Sequence, residues 1–124
     1  MTSSPERLEA SIGNGLEGYY VVRLAEDGSL VWSFEGGEPA TLSEAVAPDA
    51  AAWERFALLL GRLGVFSWQP EYRNNAINDG TYWAFVCNWG DLSVNATGAN
   101  VYPPGFGEFC AGIEALLGGD LTFR

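Results

Sequence analysis

Two stretches in the first third of the chain alternate apolar and polar residues with a period of two, which is typical of half-buried strands. Asp27-Gly28 lies between the stretches, and Asp-Gly supplies the positive φ that tight hairpin turns require. The pattern therefore predicts a β-hairpin over residues 17–36. Its apolar face consists of Tyr20, Val22, Leu24, Leu30, Trp32 and Phe34.

A second hairpin is predicted over residues 82–97, around the two-residue turn Gly90-Asp91. Its first strand is largely apolar on both faces, as expected for an inner strand that is covered on both sides. Its second strand has one apolar face and one polar face. The apolar positions that define the two strands are Trp83, Phe85, Cys87, Trp89, Leu92, Val94 and Ala96.

Apolar residues spaced three and four positions apart predict three helices. The first spans residues 4–12, after a favourable Ser4-Pro5 start. The second spans residues 49–63, and the third ends before Gly118. Their apolar faces contain, in chain order, Leu8 and Ile12, then Trp53, Phe56, Leu60 and Leu63, and finally Phe106, Phe109, Cys110, Ile113, Leu116 and Leu117.

The rest of the pattern adds one short strand at residues 65–68 and two loops, at residues 37–47 and 69–79. The predicted element order is α-β-β-α-β-β-β-α. These elements predict an α+β fold, in which an antiparallel sheet of about five strands, built from two hairpins, carries two main helices on one face. The length predicts a single domain over residues 1–124, with residues 1–3 frayed.

Charge narrows the classes of partner. The chain has 16 acidic residues against six arginines, no lysine and no histidine, for a net charge of −10. Binding to a phosphate backbone requires basic side chains, so no nucleic acid binding is expected. The acids permit a basic protein partner, a role in solubility, or mimicry of nucleic acid if they align on one face. The oligomeric state stays open.

The sequence also predicts a location. The first 15 residues lack the basic start and apolar segment of a secretory signal, and no apolar run approaches the ~20 residues that span a bilayer. We therefore expect a cytoplasmic protein with no membrane partner, in which Cys87 and Cys110 are thiols. Both cysteines fall on apolar faces, so they are expected to be buried, and a disulfide between them stays open.

Most catalytic chemistry is excluded by composition. Without histidine or lysine the chain has no Ser-His-Asp triad, no Cys-His pair and no lysine nucleophile. No nucleotide-binding glycine motif or metal-ligand spacing is present, so no cofactor and no metal are predicted. A carboxylate pair remains, because Glu71 and Asp79 flank a polar loop that contains Tyr72, Arg73 and Asn75. The competing interpretation is that these residues form turns and surface ion pairs.

Aromatic residues give a second functional signal. Trp68, Tyr72, Trp89 and Tyr102 lie at element ends or in loops, where periodicity does not account for them as core residues. Tyrosine and tryptophan are favoured as anchors in contact surfaces. We therefore expect a partner surface or ligand pocket that combines exposed members of this set with the polar loop.

Four further motifs carry a resemblance. They are Trp53-x-x-Phe56, Leu63-Gly64-Val65-Phe66-Ser67-Trp68, Asp79-Gly80-Thr81-Tyr82-Trp83 and Gly98-x-Asn100-x-Tyr102-Pro103. Together they resemble a pattern in small uncharacterised bacterial proteins, over about residues 53–110. The motifs consist mostly of aromatic and turn residues, so the resemblance implies a shared fold and assigns no catalytic residue.

Two functions are compatible with these observations. The first is a non-enzymatic acidic domain that binds another protein, as an inhibitor or immunity-type protein does with a basic partner. The second is a small-ligand-binding module or a carboxylate-based enzyme that uses the loop at residues 69–79. The candidate site residues for either function are Trp68, Glu71, Tyr72, Arg73, Asn75, Asp79, Trp89 and Tyr102.

Overall fold

The computed structural model describes residues 3–36, 42–73 and 80–124, and in these ranges the fold is α+β, with seven strands and two α-helices. The elements in chain order are β1 (Arg7–Asn14), β2 (Gly18–Leu24), β3 (Leu30–Glu35), β4 (Leu42–Val46), α1 (Ala50–Leu63), β5 (Glu71–Arg73), β6 (Tyr82–Trp89), β7 (Leu92–Ala99) and α2 (Phe106–Leu116). A single turn of 3₁₀ helix at Val65–Ser67 follows α1.

All the described strands belong to one mixed sheet with the order β4-β3-β2-β1-β6-β7-β5. Neighbouring strands are antiparallel, except that β5 runs parallel to β7. Both predicted hairpins are present, as β2–β3 and β6–β7. The sheet is nevertheless larger than the predicted five strands, and it is mixed rather than purely antiparallel.

The largest correction concerns β1, which the sequence predicted to be a helix. Leu8 and Ile12 are four residues apart, which suits one face of a helix, but with Ala10 they also alternate along one face of a strand. All three side chains are buried. Because β1 pairs with both β2 and β6, long-range pairing joins the two hairpins through this strand and overrides the helix-start signal at Ser4-Pro5.

Three short elements also differ from prediction. Within the predicted loop at 37–47, residues 42–46 form the edge strand β4, while residues 37–41 lie outside the described ranges. The side chains of β4 do not alternate between buried and exposed, so its sequence lacks the period-two pattern that would predict a strand. Residues 65–67 form a 3₁₀ turn instead of a strand because they continue directly from the left-handed C-cap Gly64. Within the loop predicted at 69–79, three residues pair with β7 as β5.

Both helices pack on one face of the sheet, as predicted. Asp49 caps α1 by accepting a hydrogen bond from the Ala52 amide at 2.8 Å. The core between the helices and the sheet includes Trp53 and Phe56 from α1, Phe109 from α2 and Phe85 from β6. Burial of each of these side chains contributes about 1.5–3 kcal/mol. No helix in the described ranges is long and apolar enough to cross a membrane.

In the described ranges no helix packs on the opposite face of the sheet, so the described elements cover β6 on one side and not on both as expected. On this open face Tyr82 is 40% exposed and Ala84 and Val86 are half-buried. The terminal segment after α2 lies on the helix side instead. There Phe123 is buried, and the Trp32 indole donates a hydrogen bond to the Thr122 carbonyl at 2.8 Å.

Candidate functional site

Three of the predicted aromatic residues are brought together on the helix side of the sheet. Trp68 stacks edge-on against Trp83 at 5.7 Å, and Tyr72 lies 5.8 Å from the same ring. Tyr102 packs on Phe106 at 5.0 Å, and Phe106 in turn lies 4.8 Å from Trp83. We call these five residues the aromatic cluster. It joins the 3₁₀ turn, β5, β6 and the N-terminus of α2.

Most of the aromatic cluster supports the fold. The Trp83 indole donates to the Val101 carbonyl at 2.9 Å, and the Tyr72 hydroxyl accepts a hydrogen bond from the Gln69 amide at 3.0 Å. Trp68 and Tyr72 are half-buried, whereas Tyr102 is 43% exposed. Of the three predicted residues in the cluster, Tyr102 therefore offers the largest surface to a partner.

Trp89 lies elsewhere. It is 5% exposed and packs against Trp53 at 5.8 Å and Phe56 at 6.4 Å. It is six positions from Trp83 along β6, a distance of about 20 Å on an extended strand. The expectation of an exposed aromatic at this position is wrong, because α1 covers the end of the hairpin. Trp89 and Tyr102 do not form one surface.

The two described polar residues of the predicted site, Glu71 and Arg73, face away from the aromatic cluster. Glu71 and Arg73 flank Tyr72 on β5, so their side chains emerge on the open face of the sheet. Their closest charged atoms, Arg73 Nε and Glu71 Oε1, are 3.8 Å apart, and both side chains are more than half exposed. Asn75 and Asp79 lie outside the described residues. The proposed carboxylate pair of Glu71 and Asp79 therefore has one described member.

A cavity of about 680 Å³ opens beside Tyr102. Its lining is mainly apolar and includes Ile12, Phe106 and the thiol of Cys110. Burial, with the nearby Glu114 carboxylate, raises the pKa of Cys110 to about 12, so this thiol is a poor nucleophile at neutral pH.

The pKa of the Cys87 thiol is raised in the same way as that of Cys110. Burial, with a smaller effect of Glu6, raises its pKa to about 12 as well. Both cysteines are free, so the disulfide left open by the sequence is not formed. Within residues 3–36, 42–73 and 80–124, no three Asp, Glu or Cys side chains are grouped as metal ligands.

A second concavity, about 360 Å³, lies between the β3–β4 edge and the terminal segment. Leu42, which is 60% exposed, lies opposite Phe34 across the strand pair, and Glu44 lies opposite Trp32. Directly opposed residues project from the same face of a sheet, so the exposed Glu44 carboxylate stands beside the rings. We call this concavity with its edge the acidic groove. The concavity is lined by Tyr20, Trp32, Phe34, Leu42, Asp120 and Leu121, and Glu44 belongs to its edge strand.

Sequence reasoning missed the acidic groove for two reasons. Its aromatic residues lie on the apolar face of the first hairpin, where periodicity assigned them to the core. Leu42 and Glu44 lay in a predicted loop.

The charges are divided between the two faces of the sheet. The described charged residues on the open face are balanced, with three arginines and three glutamates: Arg7, Glu9, Arg23, Glu35, Glu71 and Arg73. The remaining described acids lie in turns, on the helices or on the helix side, where Arg55, Arg62 and Arg124 oppose them. The excess negative charge of the described residues therefore lies off the open face, and two of these acids, Glu44 and Asp120, lie at the acidic groove.

No protein-family model matches the chain, and no curated protein matches it at a significant level of similarity. Function is therefore inferred from the described residues.

Proposed function

We propose that this chain is a non-enzymatic acidic domain that binds a basic protein partner, in the manner of an inhibitor or immunity-type protein. The observation that carries the proposal is the acidic groove. There a partly exposed aromatic surface, an edge strand and two exposed carboxylates, those of Glu44 and Asp120, occur together.

The rings of the groove form a continuous surface. Tyr20 lies 4.9 Å from Phe34 and 6.2 Å from Trp32, measured between ring centroids. Apolar stems of arginine or lysine side chains pack well on such rings, and their charged ends are attracted to ring faces and to carboxylates. A basic segment with alternating apolar residues therefore matches the groove in shape and in charge.

The edge strand supports an extended conformation for that segment. Among the described strands β4 is outermost and pairs with β3 alone. An incoming strand can bond to such an edge through its backbone while alternate side chains occupy the adjoining groove. The net charge of −10 would speed the encounter with a basic partner. We also propose a cytoplasmic location, because thiols such as those of Cys87 and Cys110 stay reduced in that compartment.

The test uses a synthetic ten-residue peptide that alternates arginine with valine, and a second peptide that alternates glutamate with valine. We expect the arginine peptide to shift backbone NMR signals of β3 and β4, with an affinity that falls several-fold when salt is raised, because added ions screen exposed charges. The glutamate peptide should not bind.

Substitutions inside and outside the acidic groove test where the arginine peptide binds. Glu44→Gln combined with Asp120→Asn should weaken the arginine peptide several-fold. Glu26→Gln combined with Glu54→Gln, a matched loss of two exposed carboxylates outside the groove, should weaken it much less. Equal weakening in both pairs, shifts confined to other elements, or no binding of the arginine peptide would each overturn the proposal.

A further inference from the structure

Two tyrosines on the open face stand on either side of a position that lacks a side chain. Gly13 of β1 pairs with Tyr19 of β2 on one side and with Tyr82 of β6 on the other. The tyrosine backbones are therefore two strand spacings apart, about 10 Å. A Cβ at Gly13 would overlap the Gly18 carbonyl oxygen, so the fold keeps this position without a side chain.

The floor between the tyrosines is made of small residues. A recess of about 220 Å³ is lined by Tyr19 and Tyr82, with Ser11, Ala84 and Gly98 on its floor. A neighbouring recess of about 270 Å³ shares Ser11, Tyr19 and Ala84 and extends toward Arg23. We call the first of these the tyrosine recess. Carbon atoms pack best at about 3.5–4.0 Å, and the small floor residues let a flat ring approach the sheet to this distance beside the tyrosine rings.

Arg73 supplies a positive charge at one end of the tyrosine recess. It pairs with Ala99 on β7, and Ala99 pairs with Tyr82 on β6, so the three side chains lie in one row on the open face. Arg73 also lines the recess. Its exposed ion pair with Glu71 is weak, and a guanidinium has five N–H donors, enough to bind a carboxylate as well.

We propose that the tyrosine recess binds a planar aromatic carboxylate, with the ring on the floor at Ser11 and Ala84, beside the two tyrosines, and the carboxylate against Arg73. The balanced charge of the open face permits a small anion there despite the net charge of −10. The two contacts select different properties of the ligand. Packing against aromatic side chains favours a flat ring, and the two-pronged contact of a guanidinium favours a carboxylate. This site is independent of the acidic groove.

The probe is 2-naphthoate, titrated by calorimetry, with neutral 2-naphthol as the comparison ligand. Naphthoate should bind the unmodified protein at least several-fold more tightly than naphthol. Arg73→Gln should remove that difference, while Tyr19→Ala should weaken both ligands about tenfold or more. As matched controls, Arg62→Gln and Tyr102→Ala replace residues on the other side of the molecule and should leave both affinities unchanged.

A measurement on the unmodified protein makes the test independent of how the variants fold. Nuclear Overhauser effects from naphthoate protons should reach the rings of Tyr19 and Tyr82. The proposal is overturned if naphthoate fails to bind at millimolar concentration, if its contacts fall elsewhere, if naphthol binds equally well, or if the control variants weaken binding as much as Arg73→Gln.

Discussion

At the scale of single residues, Glu114 shows how one carboxylate ties the chain's last described residues to α2. Its side chain is 16% exposed and accepts hydrogen bonds from Arg124 Nη2 at 2.6 Å, from Arg124 Nε at 3.2 Å and from the Phe123 amide at 2.8 Å. The hydrogen bonds from Arg124, with that from Phe123, lower the pKa of Glu114 below its ordinary value of 4.5. The contact keeps Phe123 in the core.

This network predicts a pH dependence of stability. A carboxyl group whose pKa is lower in the folded state stabilises the protein above its unfolded pKa, and that contribution is lost as the pH falls through the folded pKa. Glu114→Gln should therefore reduce the free energy of unfolding at pH 7, and the difference from the unmodified protein should shrink below about pH 4.5. Urea unfolding at several pH values measures this.

Glu54→Gln, which changes an exposed carboxylate on α1, is the control and should alter stability by no more than about 0.5 kcal/mol. A constant difference between Glu114→Gln and the unmodified protein from pH 7 to pH 3 would contradict the assigned role of Glu114.

At the scale of elements, two glycines differ in whether the surrounding structure leaves room for a side chain. On β7, Gly98 lies beneath Trp83 of the neighbouring strand, and a Cβ there would overlap the indole nitrogen. On α1, Gly61 is exposed and a Cβ would meet nothing within 4 Å. The α1 backbone at Gly61 therefore makes no close approach that a side chain would obstruct.

We predict opposite signs for the two alanine substitutions. Gly98→Ala should destabilise the protein by about 1–3 kcal/mol, because Trp83 must shift from its hydrogen bond to Val101. Gly61→Ala should stabilise it by up to about 1 kcal/mol through helix propensity alone. Chemical unfolding of both variants gives the comparison, and a neutral or stabilising Gly98→Ala would mean that the indole does not depend on the glycine.

The elements also show what the sequence can and cannot predict. Hairpins and amphipathic helices were predictable because their periodicity and turn residues are local. For β1 the local signals at Ser4-Pro5 pointed to a helix, and its pairing with strands far along the chain decided otherwise. For β4 exposure removed any periodic pattern, so its strand conformation depends on β3 alone.

The candidate sites were harder to predict, for a related reason. Trp68 and Trp89 have similar local contexts, yet the first joins the aromatic cluster and the second is buried under α1. In β2 the adjacent Tyr19 and Tyr20 project to opposite faces, one into the tyrosine recess and one into the acidic groove. Which face remains open depends on where the helices pack, and that information is not local in sequence.

At the scale of the whole molecule, the sheet separates two surfaces of different chemistry. The acidic groove lies on the helix side, at the β3–β4 edge, and carries two exposed acids, Glu44 and Asp120. The tyrosine recess lies on the open face, where arginines and glutamates balance. The β2 backbone links the two sites through Tyr19 and Tyr20. Their ligands therefore make no direct contact with each other, and a coupling between them would have to pass through this strand.

β2 pairs with β1 on one side and with β3 on the other, so it should be rigid. We therefore expect it to transmit little coupling between the acidic groove and the tyrosine recess. We predict that saturation with the arginine–valine peptide changes the dissociation constant of naphthoate by less than about twofold, a coupling below ~0.5 kcal/mol. Naphthoate titration with and without the peptide measures this. Added salt should weaken the binding of the peptide more steeply than the binding of naphthoate. The net negative charge of the protein attracts the basic peptide and repels the naphthoate anion. Competition between the two ligands would instead mean that they share one surface, and the assignment of separate sites to the two faces would be wrong.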